Sequence, residues 1–137
     1  MSATFHLSVV APDRSVAELE VQSITAPGIE GYFGVWAGHQ PTIAALKAGL
    51  VEYRAVGEID ANYVAIGGGF AEVSAKSVTI LADEAHLATE IDLSKAEREL
   101  EEALKALKGE PSNMTSQEAT QAVERAMARI RAAKKAQ

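Results

Sequence analysis

The chain has 137 residues, 47% apolar and 23% charged, with a net charge of −6. That is the size and composition of one globular domain, or a small domain with an appendage, and its acidity argues against nucleic acid as a partner. With no cysteine, disulfide frameworks, thiolate zinc sites and cysteine nucleophiles are excluded, and no apolar run reaches the ~18–20 residues that cross a bilayer.

The opening residues Met1–Phe5 lack a basic region followed by an apolar stretch, so no secretory leader is expected. Phe5, Leu7 and Val9 alternate with polar His6 and Ser8, which predicts a strand ending at the Pro12-Asp13 turn. Val21, Ile24 and Ala26 predict a second strand, closed by a turn at Pro27-Gly28. For Pro41–Leu46, period alone leaves open a helical turn or a strand. Leu50–Val56 alternates again and stops at Gly57. Tyr63–Ile66 is a short apolar run that ends in Gly67-Gly68-Gly69, read as a flexible strand junction; Phe70–Val73 resumes it, and Val78–Leu81 follows a turn near Ala75-Lys76. Short strands at turn spacing suggest a sandwich or barrel.

Composition breaks near residue 87. All seven aromatics and nine of ten glycines lie before it, and residues 1–86 carry 4 basic against 10 acidic residues; residues 87–137 carry 9 of each. The expected organisation is therefore an N-terminal β-sandwich over residues 1–87 and a C-terminal antiparallel two-helix hairpin over 88–137. Asp92 is a suitable N-cap for a helix with the stripe Leu93, Ala96, Leu100, Ala103/Leu104, Leu107, ended by Gly109 and Pro111. Thr115-Ser116-Gln117-Glu118 matches a capping box, and Ala119, Ala122/Val123, Ala126/Met127, Ile130, Ala133 form the next stripe. The pair has no aromatic and few large apolar residues, so alone it would bury little surface. It is expected to dock on the β-half, on a partner, or on each in turn.

No catalytic constellation emerges. His6, His39 and His86 have no second ligand at helical spacing, Ser74 and Ser77 sit in no nucleophile elbow, and the triple glycine lacks the ending of a phosphate loop. Asp83 and Glu84 are adjacent and, in a strand, would face opposite ways. Arg125 and Arg129 lie one turn apart on one helix face. Folded back onto the start of the first helix, they could hold a polyphosphate with its backbone N–H groups; the commoner alternative is a solvated basic face paired with the Glu-rich first helix.

Several motifs in register give a family resemblance. Gly31-Tyr32-Phe33-Gly34-Val35-Trp36-Ala37-Gly38-His39-Gln40-Pro41 resembles a signature of the ε subunit of F-type ATP synthases. Val9–Asp13, Gly67–Val73 followed by Val78–Asp83, and Ile91-Asp92-Leu93-Ser94-Lys95-Ala96 are similar to further motifs of that family. The resemblance implies a non-catalytic central-stalk rotor subunit that couples proton translocation to ATP synthesis. Its implied partners are the γ subunit, the ring of membrane c subunits and, with the hairpin extended, the α/β catalytic hexamer. It implies a loop at Gly31–Pro41 facing the membrane ring, with Gly31, Phe33, Gly38 and His39 as contacts and Trp36 and Phe33 as core or contact. It implies inhibition of ATP hydrolysis by the C-terminal helices, with Arg125, Arg129, Arg131, Lys134 and Lys135 touching acidic surface on the catalytic subunits.

Some members of that family bind ATP on the folded hairpin, and Ile91, Asp92, Lys95, Arg125 and Arg129 stand at the matching positions. Lys95 replaces an arginine, His86 an acid and Glu102 a basic residue of that pattern, so no resident cofactor is expected and any regulatory ATP binding is expected to be weak. The resemblance, without a transit peptide, implies a peripheral membrane protein on the cytoplasmic face of a bacterial plasma membrane, or alternatively on a thylakoid membrane. The competing readings are a small ligand-binding or catalytic sandwich, which requires converging polar groups in a pocket, and a free-standing adaptor.

Overall fold

The computed structural model describes residues 3–137; Met1 and Ser2, part of the opening segment read above, lie outside the described residues. Seven strands come first: β1 (Phe5–Ala11), β2 (Arg14–Gly28), β3 (Gly31–Trp36), β4 (Thr42–Ala55), β5 (Asn62–Val73), β6 (Ser77–Ala82) and β7 (Ala85–Leu87). A 3-10 turn at Ala88–Glu90 leads to two helices, α1 (Leu93–Leu107) and α2 (Ser116–Lys135). This is the expected β-sandwich followed by a helix pair.

The strand order β1-β6-β5-β4-β2 closes on itself, because β1 also pairs with β2, and β3 hangs from the far half of β2. β1 and β6 run parallel; the other pairings are antiparallel. Closure leaves few free sheet edges. The core fills the space between the layers with Leu7, Val9, Val21, Ile24, Val35, Val51, Val64, Ile66, Val78 and Ile80, all buried.

The strands are longer than the sequence reading allowed. Pro41–Leu46, left open above, and Leu50–Val56 belong to the single strand β4 of 14 residues. Tyr63–Ile66 and Phe70–Val73 are likewise one strand, β5, which runs unbroken through the three glycines. The triple glycine is a bend rather than a junction. It lets the first half of β5 pair with β7 and the second half with β6. It also reverses the alternation: Val64 and Ile66 point into the core before it, Ala71 and Val73 after it. Gly69 has φ +143° and lies so close to the Leu81 carbonyl oxygen that a Cβ there would collide with it.

The turn expected at Pro27-Gly28 falls two residues later, at Ile29-Glu30, since Pro27 and Gly28 still pair with Tyr32 and Gly31. The segment Gly31–Pro41, read as a loop, is a strand as far as Trp36; only residues 37–41 are irregular.

Both helices are capped as the sequence predicts. The Asp92 carboxylate accepts from the Lys95 amide at 3.1 Å, and Thr115 and Glu118 form a reciprocal capping box. α1 closes with Gly109 at φ +90°, whose amide donates to Ala106 while Glu110 donates to Lys105, the pairing of a Schellman motif.

α2 is the helix that docks, and it packs against β4, β5 and the 3-10 turn while α1 packs on α2. Two faces of α2 are therefore buried. Ala119, Ala126 and Ala133 belong to the stripe read from the sequence. Ala128 and Ala132 form a second seam, against Leu50, Ala65 and Ala88, that the stripe missed. Met127, placed in that stripe, is about half exposed, as are Leu104 and Leu107 of α1. The physical reason is that a helix sandwiched between two neighbours has no single apolar face for periodicity to reveal.

Candidate functional site

Charge gathers where α2 crosses the end of the sheet. Asp83 and Glu84 sit in a bend between β6 and β7, not in a strand, so the strand alternation that would have opposed them does not apply. Both carboxylates face α2. Arg125 Nη2 donates to Asp83 Oδ2 at 2.9 Å and Arg129 Nη1 donates to Glu84 Oε1 at 2.9 Å. Two adjacent acids thus meet two arginines one helical turn apart. The Arg129 guanidinium is the more enclosed, with its side chain 15% exposed, and its Nη2 also lies 3.7 Å from Glu99 of α1. Pairing with the Glu-rich first helix, the alternative weighed from sequence, is the longer of its contacts.

The bend fits because Gly67 lies beneath it. The Gly67 amide donates to the Glu84 carbonyl at 3.1 Å and the Asp83 amide to the Gly68 carbonyl at 3.0 Å. A Cβ at Gly67 would stand 2.7 Å from Asp83 Oδ1, 2.7 Å from Glu84 Cγ and 2.8 Å from Arg125 Nε. At the far side, Arg14 donates to the Ala85 carbonyl at 3.1 Å and pairs with Glu90 at 3.6 Å, fixing the turn that leads into α1.

An open cleft of about 620 Å³ lies between α1, α2 and this bend, and Ile91, Asp92, Lys95, Arg125 and Arg129 all line it. The structure thus brings the five candidate nucleotide-site residues together. The rest of the lining is unlike a phosphate site. Glu84, Glu90, Asp92, Glu99 and Glu118 set five carboxylates against three cations, and His86 stands beside Glu84. The Asp92 carboxylate already caps α1, and both arginines already hold carboxylates, so a polyphosphate would compete with internal partners.

Of the five basic residues expected to reach outward, three are engaged by the chain itself. Arg125 and Arg129 are paired as above, and Lys135 Nζ lies 5.1 Å from the centroid of the Tyr63 ring. Arg131 and Lys134 are exposed, with no ion-pair partner among the described residues.

The four residues expected to meet the membrane ring divide into two places. Gly31 and Phe33 line a cleft of about 590 Å³ with Ile29, Tyr32 and Ile43; Phe33 is half buried against the core. Gly38 and His39 lie past the other end of β3, where the Gly38 amide donates to the Ala75 carbonyl at 3.1 Å. His39 Nδ1 donates to the Gln40 carbonyl at 2.8 Å. Trp36, left as core or contact, is 64% exposed and so belongs to the surface.

A further surface was not read from the sequence. The register Ala45–Phe70–Leu81 sets these side chains in a row on the outer face of β4, β5 and β6, with Ile43 and Ile29 beside them. Ile43 is 75% exposed, and Ile29, Phe70 and Leu81 are about half exposed or more. Glu72, opposite Ile43, edges this apolar cluster, which makes the face a candidate interaction surface. Its signal in the sequence was the reversed alternation after the glycines, which leaves Phe70 outside once Ala71 and Val73 are inside.

Two family models match the chain: the ATP synthase delta/epsilon chain β-sandwich domain over residues 4–88, and the ATP synthase delta/epsilon chain long α-helix domain over residues 89–134. The chain is 39% identical over 132 residues to the chloroplastic ATP synthase epsilon chain of Pyropia yezoensis, covering 95% of this chain and 96% of that one. It is 38% identical over 131 residues to the ATP synthase epsilon chain of Nitratidesulfovibrio vulgaris, covering 96% of each. Among solved structures it is similar to a chain of the Euglena gracilis mitochondrial ATP synthase, solved as an OSCP/F1/c-ring assembly, with a TM-score of 0.79, 32% identity, and coverage of 96% of this chain and 81% of that one.

Proposed function

This chain belongs to the ATP synthase delta/epsilon family, as an epsilon chain, and we propose that it serves as a central-stalk rotor subunit without chemistry of its own, coupling proton translocation to ATP synthesis. The β-sandwich, residues 1–87, binds γ and the membrane ring; the exposed apolar face around Ile43, Phe70 and Leu81 supports it as the γ-binding surface, and Gly31, Phe33, Gly38 and His39 are ring contacts. The helix pair, residues 88–137, is the regulatory part and restrains ATP hydrolysis when extended toward the α/β hexamer. Arg125, Arg129, Arg131, Lys134 and Lys135 then meet acidic surface there. Association with the membrane is peripheral, on the cytoplasmic face of a bacterial plasma membrane or on a thylakoid membrane; no helix among the described residues is long and apolar enough to cross one.

One observation carries the regulatory reading. The seam between α2 and the sheet is made on the helix side by alanines, Ala128 and Ala132, reinforced by ion pairs at its edge. Such an interface buries little apolar area per residue and is easily exchanged for another. The test is an ATPase titration of a purified α/β/γ core with the full chain and with residues 1–87. Inhibition by the full chain alone supports the reading. Equal behaviour of the two, with both bound, removes the brake and leaves the coupling role; no binding by either removes both.

A further inference from the structure

We propose that Asp83 and Glu84 act as a built-in counter-anion for α2, so that the hairpin is held on the sandwich by the chain's own carboxylates and needs no bound nucleotide. The inference extends the regulatory reading above, but it concerns the isolated chain and is tested there.

The geometry supplies the argument. A polyphosphate recruited to Arg125 and Arg129 would offer them anionic oxygens; each guanidinium already has one at 2.9 Å, from adjacent residues of a single bend. The bend is anchored to β5 through the backbone of both acidic residues: the Asp83 amide donates to the Gly68 carbonyl, and the Glu84 carbonyl accepts from the Gly67 amide. Its position is thereby fixed before the helix arrives, and the ordering cost of the pairing is reduced. The two contacts are spaced by one turn of α2, so they select one rotation of the helix, the one that turns Ala128 and Ala132 onto Leu50 and Ala65. The surrounding carboxylates Glu90, Asp92 and Glu99 raise the cost of admitting a further anion. Any acidic partner that takes hold of Arg125 and Arg129 must compete with Asp83 and Glu84 for them. The latch therefore sets a threshold for release, and added salt weakens it because Asp83 and Arg125 are partly exposed.

Gly67 gives a way to disturb the latch without changing a charge, since a methyl there would push directly on Asp83, Glu84 and Arg125. With no native cysteine, spin labels can be placed specifically through Ala75→Cys on the sandwich and Glu101→Cys on α1, both exposed. The distance distribution in the full chain reports the docked fraction, and the thermal transition of the sandwich reports that each variant is folded. In the wild type the docked distance is expected to dominate at low salt with or without millimolar MgATP, and to lose population at high salt. Asp83→Asn combined with Glu84→Gln is expected to raise the undocked-to-docked ratio about fivefold, the scale of losing partly exposed charge-assisted pairs. In that variant Arg125 loses its carboxylate and Arg129 keeps only its 3.7 Å contact with Glu99, so an effect of MgATP on docking is expected there and not in the wild type. Gly67→Ala is expected to undock the hairpin with all charges intact. A wild-type docked population that requires MgATP, or unchanged docking in both variants, overturns the proposal. Neither result depends on whether the chain binds or inhibits a rotor core.

Discussion

Arg129 and Glu84, 45 residues apart in sequence, meet at 2.9 Å with the guanidinium largely enclosed between α2, α1 and the β6–β7 bend. Removing one member of such a pair leaves the other short of a partner at a half-buried site. Arg129→Ala is expected to destabilise the docked hairpin by about 1–2 kcal/mol. Helical signal in far-UV circular dichroism should then be lost at a lower temperature than in the wild type. Arg131→Ala, at an exposed position of the same helix, is expected to stay within about 0.5 kcal/mol.

The alanine seam makes a second prediction. Ala132 is fully buried in the seam with Leu50 and Ala65, so a longer side chain there must push its neighbours aside. Ala132→Leu should cost about 1–3 kcal/mol by overpacking and release α2 while leaving the sandwich folded. Proteolysis should detect it as faster cleavage within residues 108–135 and an unchanged, resistant N-terminal fragment.

Glycine substitutions should separate two kinds of turn. At Gly69 a methyl meets the Leu81 carbonyl and the backbone is at φ +143°, so Gly69→Ala is expected to cost about 3 kcal/mol or more and to prevent β5 from bending. Gly109 has φ +90° with nothing within 4 Å of the added methyl, so Gly109→Ala should cost about 1 kcal/mol. Denaturant melts of both variants measure the difference.

Acid should loosen the start of α2. Hydrogen bonds from the Thr115 backbone and side chain hold the Glu118 carboxyl below its ordinary value of 4.5. A depressed carboxyl pKa stabilises the fold while the unfolded group is already ionised, so the contribution is present above about pH 4.5 and is lost as pH falls through the folded value. Amide exchange in the first turn of α2 is expected to accelerate, relative to its intrinsic rate, as the solution is taken below that range. Glu118→Gln should remove that dependence.

The parts of the fold visible in sequence were those fixed by neighbours along the chain. The capping box at Thr115 and Glu118, the Asp92 cap and the Gly109 stop each depend on groups within a few residues, and each forms as read. Alternation at Phe5, Leu7 and Val9 likewise reports one face of one strand. The candidate site was legible in part: Arg125 and Arg129 share a face because helices repeat every 3.6 residues, and they do reach the start of α1.

Their partners were not legible. Asp83 and Glu84 were set aside because strand alternation would oppose them, yet a bend turns both toward α2, and what makes the bend is pairing with glycines of β5 some sixteen residues earlier. Ala128 and Ala132 escaped the stripe because alanine serves exposed and buried helix faces alike, and only a second neighbour distinguishes them. The amino-acid sequence by itself determined the two-part architecture and the helix ends, which rest on composition and local hydrogen bonding, and the family, which rests on motifs such as Gly31–Pro41 standing in register along the chain. Tertiary structure decided where the hairpin rests, which arginines are occupied and which apolar residues remain outside. Those outcomes depend on long-range pairing through the bend of β5, and a bent strand changes which side chains face inward.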